Sequence, residues 1–225
     1  VNTSPDTIAL FDLDRTLLTI DADETWIEFL IEEGALDRGK FEPAMREVSA
    51  RYGRGEIGGD EFCGFYLSTL AAQELARLEA WRMRYLAERI FLAISAAARA
   101  LVTKHRDAGH LVVLTTAASR FLTAPIAADL GIENLIATEG EMKAGRYTGK
   151  VEGIPNMREG KIARLNAWLA ERGTTLTRFR ESWFYSDSRN DIPLLSRVTN
   201  PVAVNPDPTL AALAAQKRWP VLQIR

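Results

Sequence analysis

The sequence predicts an α/β fold: a doubly wound, mostly parallel, Rossmann-like sheet with an all-helical cap domain inserted after the first strand. Three observations lead there. Short apolar runs at residues 8–11, 111–114, 183–185 and 202–204 alternate with helical stretches, the rhythm of parallel strands covered on both faces. From about Asp21 to Ala97 that rhythm stops and only helical periodicity is legible. Three of the apolar runs end in acids or hydroxyls: Asp12 with Asp14, Thr116, and Asp187 with Asp191. In an open α/β sheet the carboxyl edge of the strands is where ligands bind.

Taken in order, the first strand runs straight into Asp12-Leu13-Asp14. The insert then holds four helices. The first carries Trp26, Phe29, Leu30 and Glu33, with Asp23 placed to cap it and Gly34 to stop it. The second covers 41–52 and ends at Gly53-Arg54-Gly55. The third follows Gly58-Gly59-Asp60 and sets Phe62, Phe65, Tyr66 and Leu70 on one face. The fourth runs through Leu75, Leu78, Trp81, Met83 and Tyr85. These aromatic stripes read as bundle core. The expected boundaries are a core of residues 1–17 and 93–225 and a cap of 18–92, placed to roof the strand ends. Beyond it come a helix over 95–106 closed by Gly109, a strand over 110–116, and a helix through Ile126 to Leu130 stopped by Gly131. A short strand over 135–138 and a glycine-marked hairpin within 141–153 follow. A helix over 159–171, strands over 183–186 and 201–204, a helix over 207–216 and an edge strand over 221–224 complete the chain.

Composition narrows the function. A formal net charge of -2 in 225 residues gives no broad basic face for nucleic acid. Cys63 stands alone, so no intramolecular disulfide forms, and a packing role is expected. Two histidines and one cysteine leave little material for a zinc site. No apolar run reaches the roughly 18–20 residues of a membrane span, and residues 1–6 are short and polar, without a signal-peptide pattern. The expectation is a soluble cytoplasmic protein with no membrane or nucleic-acid partner. Its oligomeric state is not legible.

The strand-end residues suggest phosphoryl transfer. Two carboxylates two residues apart repel each other unless a cation or hydrogen bonds neutralise them. Asp12, Asp187 and a backbone carbonyl can share Mg²⁺, a hard cation with oxygen ligands. Lys161 and the Thr116 hydroxyl can hold phosphoryl oxygens. Asp12, first to leave the strand, is the expected nucleophile; Asp14, two residues on, is the expected proton donor and acceptor.

Asp12-Leu13-Asp14-Arg15-Thr16, Thr116 after its strand, Lys161, and Asp187-Ser188-Arg189-Asn190-Asp191 occur in the order of the four motifs of the haloacid dehalogenase-like hydrolases. The chain resembles that superfamily along nearly all its length, in the branch with a helical cap after the first motif, which includes phosphoserine phosphatases and enzymes like histidinol phosphatases. The resemblance implies a Mg²⁺-dependent phosphomonoester phosphatase acting through an aspartyl-phosphate on a small phosphorylated metabolite, with phosphoserine and histidinol phosphate as leading candidates. It implies Asp12 as nucleophile and Asp14 as acid/base. Thr116, Ala117, Lys161 and Asn190 fall to the phosphate, and Asp12, Asp14 (through its carbonyl), Asp187 and Asp191 to the metal and its support.

Three departures stand out. Arg15 replaces a glycine found in many relatives, and either reaches the substrate or points to solvent. Thr116-Ala117-Ala118 stands where phosphoserine phosphatases usually have serine and two glycines. Ser186 occupies the place of a common glycine. Around the substrate, Asp21 is the candidate ligand for an ammonium group, beside a bland reading of Asp21, Asp23 and Glu24 as a helix-start cluster favoured by the dipole. Arg51 and Arg54, like Arg46, are candidates for a substrate carboxylate. His105 and His110 flank a turn away from the strand ends. Two alternatives stay open: a phosphotransferase of the same fold, and a phospho-aspartate signalling receiver.

Overall fold

The sheet is built outward from β1 (Thr7–Phe11), whose five residues are all buried. Its side chains alternate between two cores: Ala9 and Phe11 face one, Ile8 and Leu10 the other. A strand buried on both faces needs apolar residues at every position, which is why this segment has no polar alternation. On one side β1 pairs in parallel with β2 (Leu111–Ser119), and on the other with β5 (Glu181–Ser186). With β3 (Asn134–Lys143), β4 (Arg146–Glu152), β6 (Asn200–Val204) and β7 (Val221–Leu222), the order is β4-β3-β2-β1-β5-β6-β7. Among the strands of the described residues only the β3–β4 pairing is antiparallel. The register sets Phe11 opposite both Leu114 and Tyr185, so the residues that follow all three emerge on one edge. This computed structural model describes residues 5–224. Residues 1–4, part of the stretch read as lacking a signal peptide, lie outside the described residues. Among those described, no helix is long and apolar enough to cross a membrane.

The core helices are α5 (Ala96–Asp107), α6 (Arg120–Asp129), α7 (Glu159–Ala170), α8 (Ile192–Leu195) and α9 (Pro208–Lys217). Ser95 caps α5 by accepting the Ala98 N–H, and Asp207 caps α9 by accepting from Thr209 and Leu210. Ile162, Leu165 and Leu169 of α7 cover the Ile8–Leu10 face with Phe184. Each such buried side chain contributes about 1.5–3 kcal/mol.

The insert is helical throughout: α1 (Ala22–Glu32), α2 (Arg38–Gly53), α3 (Gly59–Ala71) and α4 (Leu75–Tyr85), then a π turn over Leu86–Ile90 and a 3-10 turn over Phe91–Ala93. Trp26, Phe29 and Leu30 of α1 and Trp81 and Tyr85 of α4 join the Phe11 face in one continuous core. The α2 helix differs, burying only Tyr52. The α3 helix lies on the β3–β4 hairpin with almost no clearance. A Cβ added at Gly149 of β4 would come within 3.2 Å of Ser68 Cα, and one added at Gly140 within 3.0 Å of the Leu67 side chain.

Three local expectations need correction. Asp21, not Asp23, caps α1: its Oδ1 accepts the Glu24 N–H at 3.0 Å, because the helix starts at Ala22 and Asp23 is already inside its first turn. The β2 strand does not stop at Thr116. It bulges after Thr115, pairs again at Ser119↔Thr138 and runs directly into α6, with Ser119 at the N-cap position. The short third strand is ten residues long and forms the hairpin with β4, turning at Ala144 and Gly145, both at positive φ (48° and 76°).

Candidate active site

The carboxyl ends of β1 and β5 and the loop before α7 meet the cap across a cleft of about 290 Å³. Asp12 leaves β1 still held to the sheet, its N–H donating to Tyr185 O at 2.9 Å. Its Oδ1 accepts from Lys161 Nζ at 2.7 Å, and the same Nζ donates to Asp191 Oδ2 at 2.7 Å. All three groups are buried, with Lys161 2% exposed. Ser186 Oγ also donates to Asp191 Oδ2, at 2.7 Å. The serine that replaces a common glycine thus supplies a hydrogen bond to the acid that orients the lysine. Thr16 joins the two acidic loops. Its Oγ1 accepts the Asp187 N–H at 2.9 Å and lies 3.2 Å from Asp187 Oδ1. Asp14 Oδ1 accepts the Ala22 N–H at 2.7 Å, tying the first motif to the start of the cap.

The electrostatics follow from four buried or half-buried carboxylates gathered around one buried ammonium. Burial pushes Asp12 up to about 6; Lys161 opposes that rise and Asp191 adds to it. Burial, with Asp12 and Asp191 nearby, raises Asp187 to about 8. Asp14 is raised well above the usual carboxylate range by burial and by Asp21, Asp12 and Asp23. Burial would lower Lys161, but the adjacent Asp12 and Asp191 outweigh it and hold it charged.

The cleft brings together Asp12, Asp14, Lys161, Asp187, Asn190 and Asp191 with Ala117, Arg15 and Asp21. Thr116 is fully buried behind Ala117, its Oγ1 accepting the Ala118 N–H at 3.1 Å. Asn190 Oδ1 accepts from Arg158 Nε at 3.2 Å. Arg51 and Arg54 are not part of the cleft wall; they pair on the cap surface with Glu61 and Glu56. Arg15 neither projects freely into solvent nor stands unpaired toward a ligand. Its guanidinium bonds Asp21 Oδ2 at 3.1 Å and Glu24 Oε2 at 2.5 Å, while its backbone sits at φ 56°. The left-handed conformation explains why glycine is common there in relatives. Asp23 turns inward, and burial together with Asp21 raises it to about 8. His105 is buried and His110 half-buried, Nδ1 to Nδ1 at 2.8 Å, with His105 Nε2 2.8 Å from Tyr185 Oη.

Two further residues had no sequence signal. Asn156 is wholly buried, and its Nδ2 lies 3.0 Å from Thr115 Oγ1, 2.9 Å from Thr116 O and 2.9 Å from Ile136 O, pinning the bulged end of β2. Arg158, at φ 48°, places its guanidinium 4.0 Å from the Tyr52 ring of the cap. Both lie in a loop that reads as an irregular connection.

A profile of the haloacid dehalogenase-like hydrolases matches residues 9–196, a span that holds all four acids and Lys161. The chain belongs to that family. Among relatives of this hydrolase, a histidinol-phosphatase of Neisseria meningitidis is 41% identical over 219 residues, covering 97% of this chain and 99% of that one. A phosphoserine phosphatase of Mycobacterium tuberculosis is 37% identical over 127 residues, 56% of this chain and 40% of that one. A solved structure of a Bordetella pertussis protein of unknown function superposes with a TM-score of 0.94 at 43% identity, covering 99% of this chain and 100% of that one. A substrate-bound phosphoserine phosphatase shares the fold, with a TM-score of 0.69 at 18% identity over 100% of this chain and 95% of that one. Family membership sets aside the signalling-receiver alternative.

Proposed function

We propose that this hydrolase is a Mg²⁺-dependent phosphomonoester phosphatase that works through a phosphoryl group carried on Asp12. The observation that carries the reading is Asp12 at the end of the central strand, 2.7 Å from a buried Lys161 and joined to Asp187 through Thr16. Asp12 attacks phosphorus in line with the ester oxygen, the P–O ester bond breaks, and Asp14 gives its proton to the leaving alkoxide. Asp14 then takes a proton from water, whose oxygen attacks phosphorus and releases phosphate from Asp12. Lys161 holds phosphoryl charge, and Asp191 with Ser186 fixes the lysine. The cap excludes bulk water, which keeps these interactions strong.

The donor set fits Mg²⁺. It is all oxygen, and four carboxylates stand against one buried cation. Among the described residues no three His, Cys, Asp or Glu side chains are close enough to cage a metal, and Mg²⁺ is held by one or two carboxylates with waters and substrate oxygens. Asp12, Asp187 and the Asp14 carbonyl would hold it, and it would neutralise charge developing on the phosphoryl oxygens. A small metabolite with an amino or imidazole group suits the rim where Asp21 and Glu24 carry two negative charges against the single Arg15 that pairs with both. Histidinol phosphate leads on the likeness to the Neisseria enzyme, with phosphoserine second.

The test is a panel of phosphorylated metabolites with and without Mg²⁺, run on the wild type and on Asp12→Asn, with an acceptor alcohol added to separate hydrolysis from transfer. Turnover should need Mg²⁺ and fall at least about 10³-fold in folded Asp12→Asn. Retained turnover in that variant removes Asp12 as nucleophile.

A further inference from the structure

Tyr52 is the one buried side chain of α2, 5% exposed, and it lines the cleft from the cap side. Its ring is fixed on two sides, with the Phe62 ring centroid at 4.5 Å and the Arg158 guanidinium at 4.0 Å. It packs in a cluster with Met157 and Ala117, both of which also line the cleft, Ala117 directly after Thr116. Its Oη is enclosed yet has no hydrogen-bond partner among the described residues. Two other buried tyrosines show what such a hydroxyl normally does: Tyr85 Oη donates to Ala22 O at 2.7 Å, and Tyr185 Oη meets His105 at 2.8 Å. Leaving a buried hydroxyl unpaired is destabilising, so one held at a ligand cleft is available to bond a group that binds there.

We infer that the Tyr52 hydroxyl donates a hydrogen bond to a phosphoryl oxygen of the bound phosphoester, from the cap side, opposite Lys161. The inference rests on the phosphatase reading of the cleft. The phosphoryl group offers only acceptors and carries negative charge, which makes the bond charge-assisted. Burial raises the phenol to about 12, so it stays protonated and available as a donor. Bound phosphate then holds the cap helix α2 as well as the core motifs, and α2 senses whether the cleft is filled.

Tyr52→Phe removes Oη and keeps the ring between Phe62 and Arg158. Without ligand its melting temperature should equal or exceed that of the wild type, since no bond is lost. The rise in melting temperature on adding orthophosphate with Mg²⁺ should be smaller than in the wild type. With any phosphoester that the wild type turns over, kcat/KM should fall about tenfold or more. An orthophosphate response equal to the wild type's, no response in either protein, or a lower ligand-free melting temperature would overturn the inference. Orthophosphate binding needs no turnover, so a wild type that hydrolyses no phosphomonoester refutes the phosphatase reading separately.

Discussion

Two ion pairs in the first and third motifs look alike on paper and differ in consequence. The Arg15 side chain is 44% exposed where it meets Asp21 and Glu24, while the Lys161 side chain is 3% exposed between Asp12 and Asp191. An exposed pair is screened and contributes about 0–1 kcal/mol, but removing one partner of a buried set leaves charge stranded and costs about 3–5 kcal/mol. Arg15→Gly also relieves a left-handed backbone worth about 1–2 kcal/mol, so urea denaturation should place it within about 1 kcal/mol of the wild type. Lys161→Met should lose about 3–5 kcal/mol in the same measurement. The acids and the lysine are legible as a set, because they occur in the order of the four motifs, each at a strand end or on the matching helix; singly, an aspartate pair after an apolar run is as often a cap or a turn. What each one touches is not. Ser186 looked like a departure at a turn and proves to be a ligand of Asp191, and Asn156 gave no signal, because a single asparagine in a loop resembles any other turn residue.

At the level of elements, the α3–β4 contact is set by glycines whose roles can be separated. Gly149 and Gly145 both have positive φ, 82° and 76°, but only Gly149 faces another element; a Cβ there would meet Ser68 Cα at 3.2 Å and Ala71 Cβ at 3.3 Å, whereas Gly145 has open space. Gly145→Ala should therefore cost only the backbone strain of about 1–2 kcal/mol, and Gly149→Ala measurably more, the excess reporting the helix–hairpin contact alone. Equal losses would show that α3 can retreat at no cost. Helix periodicity and stop signals made the four cap helices legible from sequence, since glycines and caps mark their ends. The hairpin is under-read in the sequence because β3 carries polar residues past Thr138, with Glu139, Glu141 and Lys143 alternating along it, and polarity alone does not distinguish a hairpin strand from a loop. The cap assignment to Asp23 failed for a related reason: two aspartates two apart both suit a helix start, and only the backbone decides which lies outside it.

For the molecule as a whole, the pH dependence of stability sums groups of opposite sense: one buried histidine against the buried acids Asp12, Asp14, Asp23 and Asp187. His105 is lowered to about 4 by burial, with His110 and Lys104 adding to the effect, against about 6.5 in an unfolded chain. Between those values the unfolded chain binds the extra proton, so this group's contribution to stability falls as pH drops from about 6.5 to about 4. Asp23 acts in the opposite sense: raised to about 8, it costs stability as pH rises from about 4 to about 8. The His105 effect is therefore read as a difference: the stability gap between the wild type and His105→Gln should narrow as pH falls from 7 toward about 4.5. A gap independent of pH would mean that His105 takes up its proton over the same pH range in the folded and the unfolded chain. The same view of the whole chain gives the α3–hairpin contact an evolutionary reading. Because the β3–β4 hairpin offers α3 a surface on which Gly140 and Gly149 leave no room for a Cβ, exchanging the cap helices by themselves should disturb that contact. The transferable module is discontinuous, residues 22–93 together with 134–152, and a chimaera that moves the helices without the hairpin should carry a mismatched seam where a native one exchanging both has none.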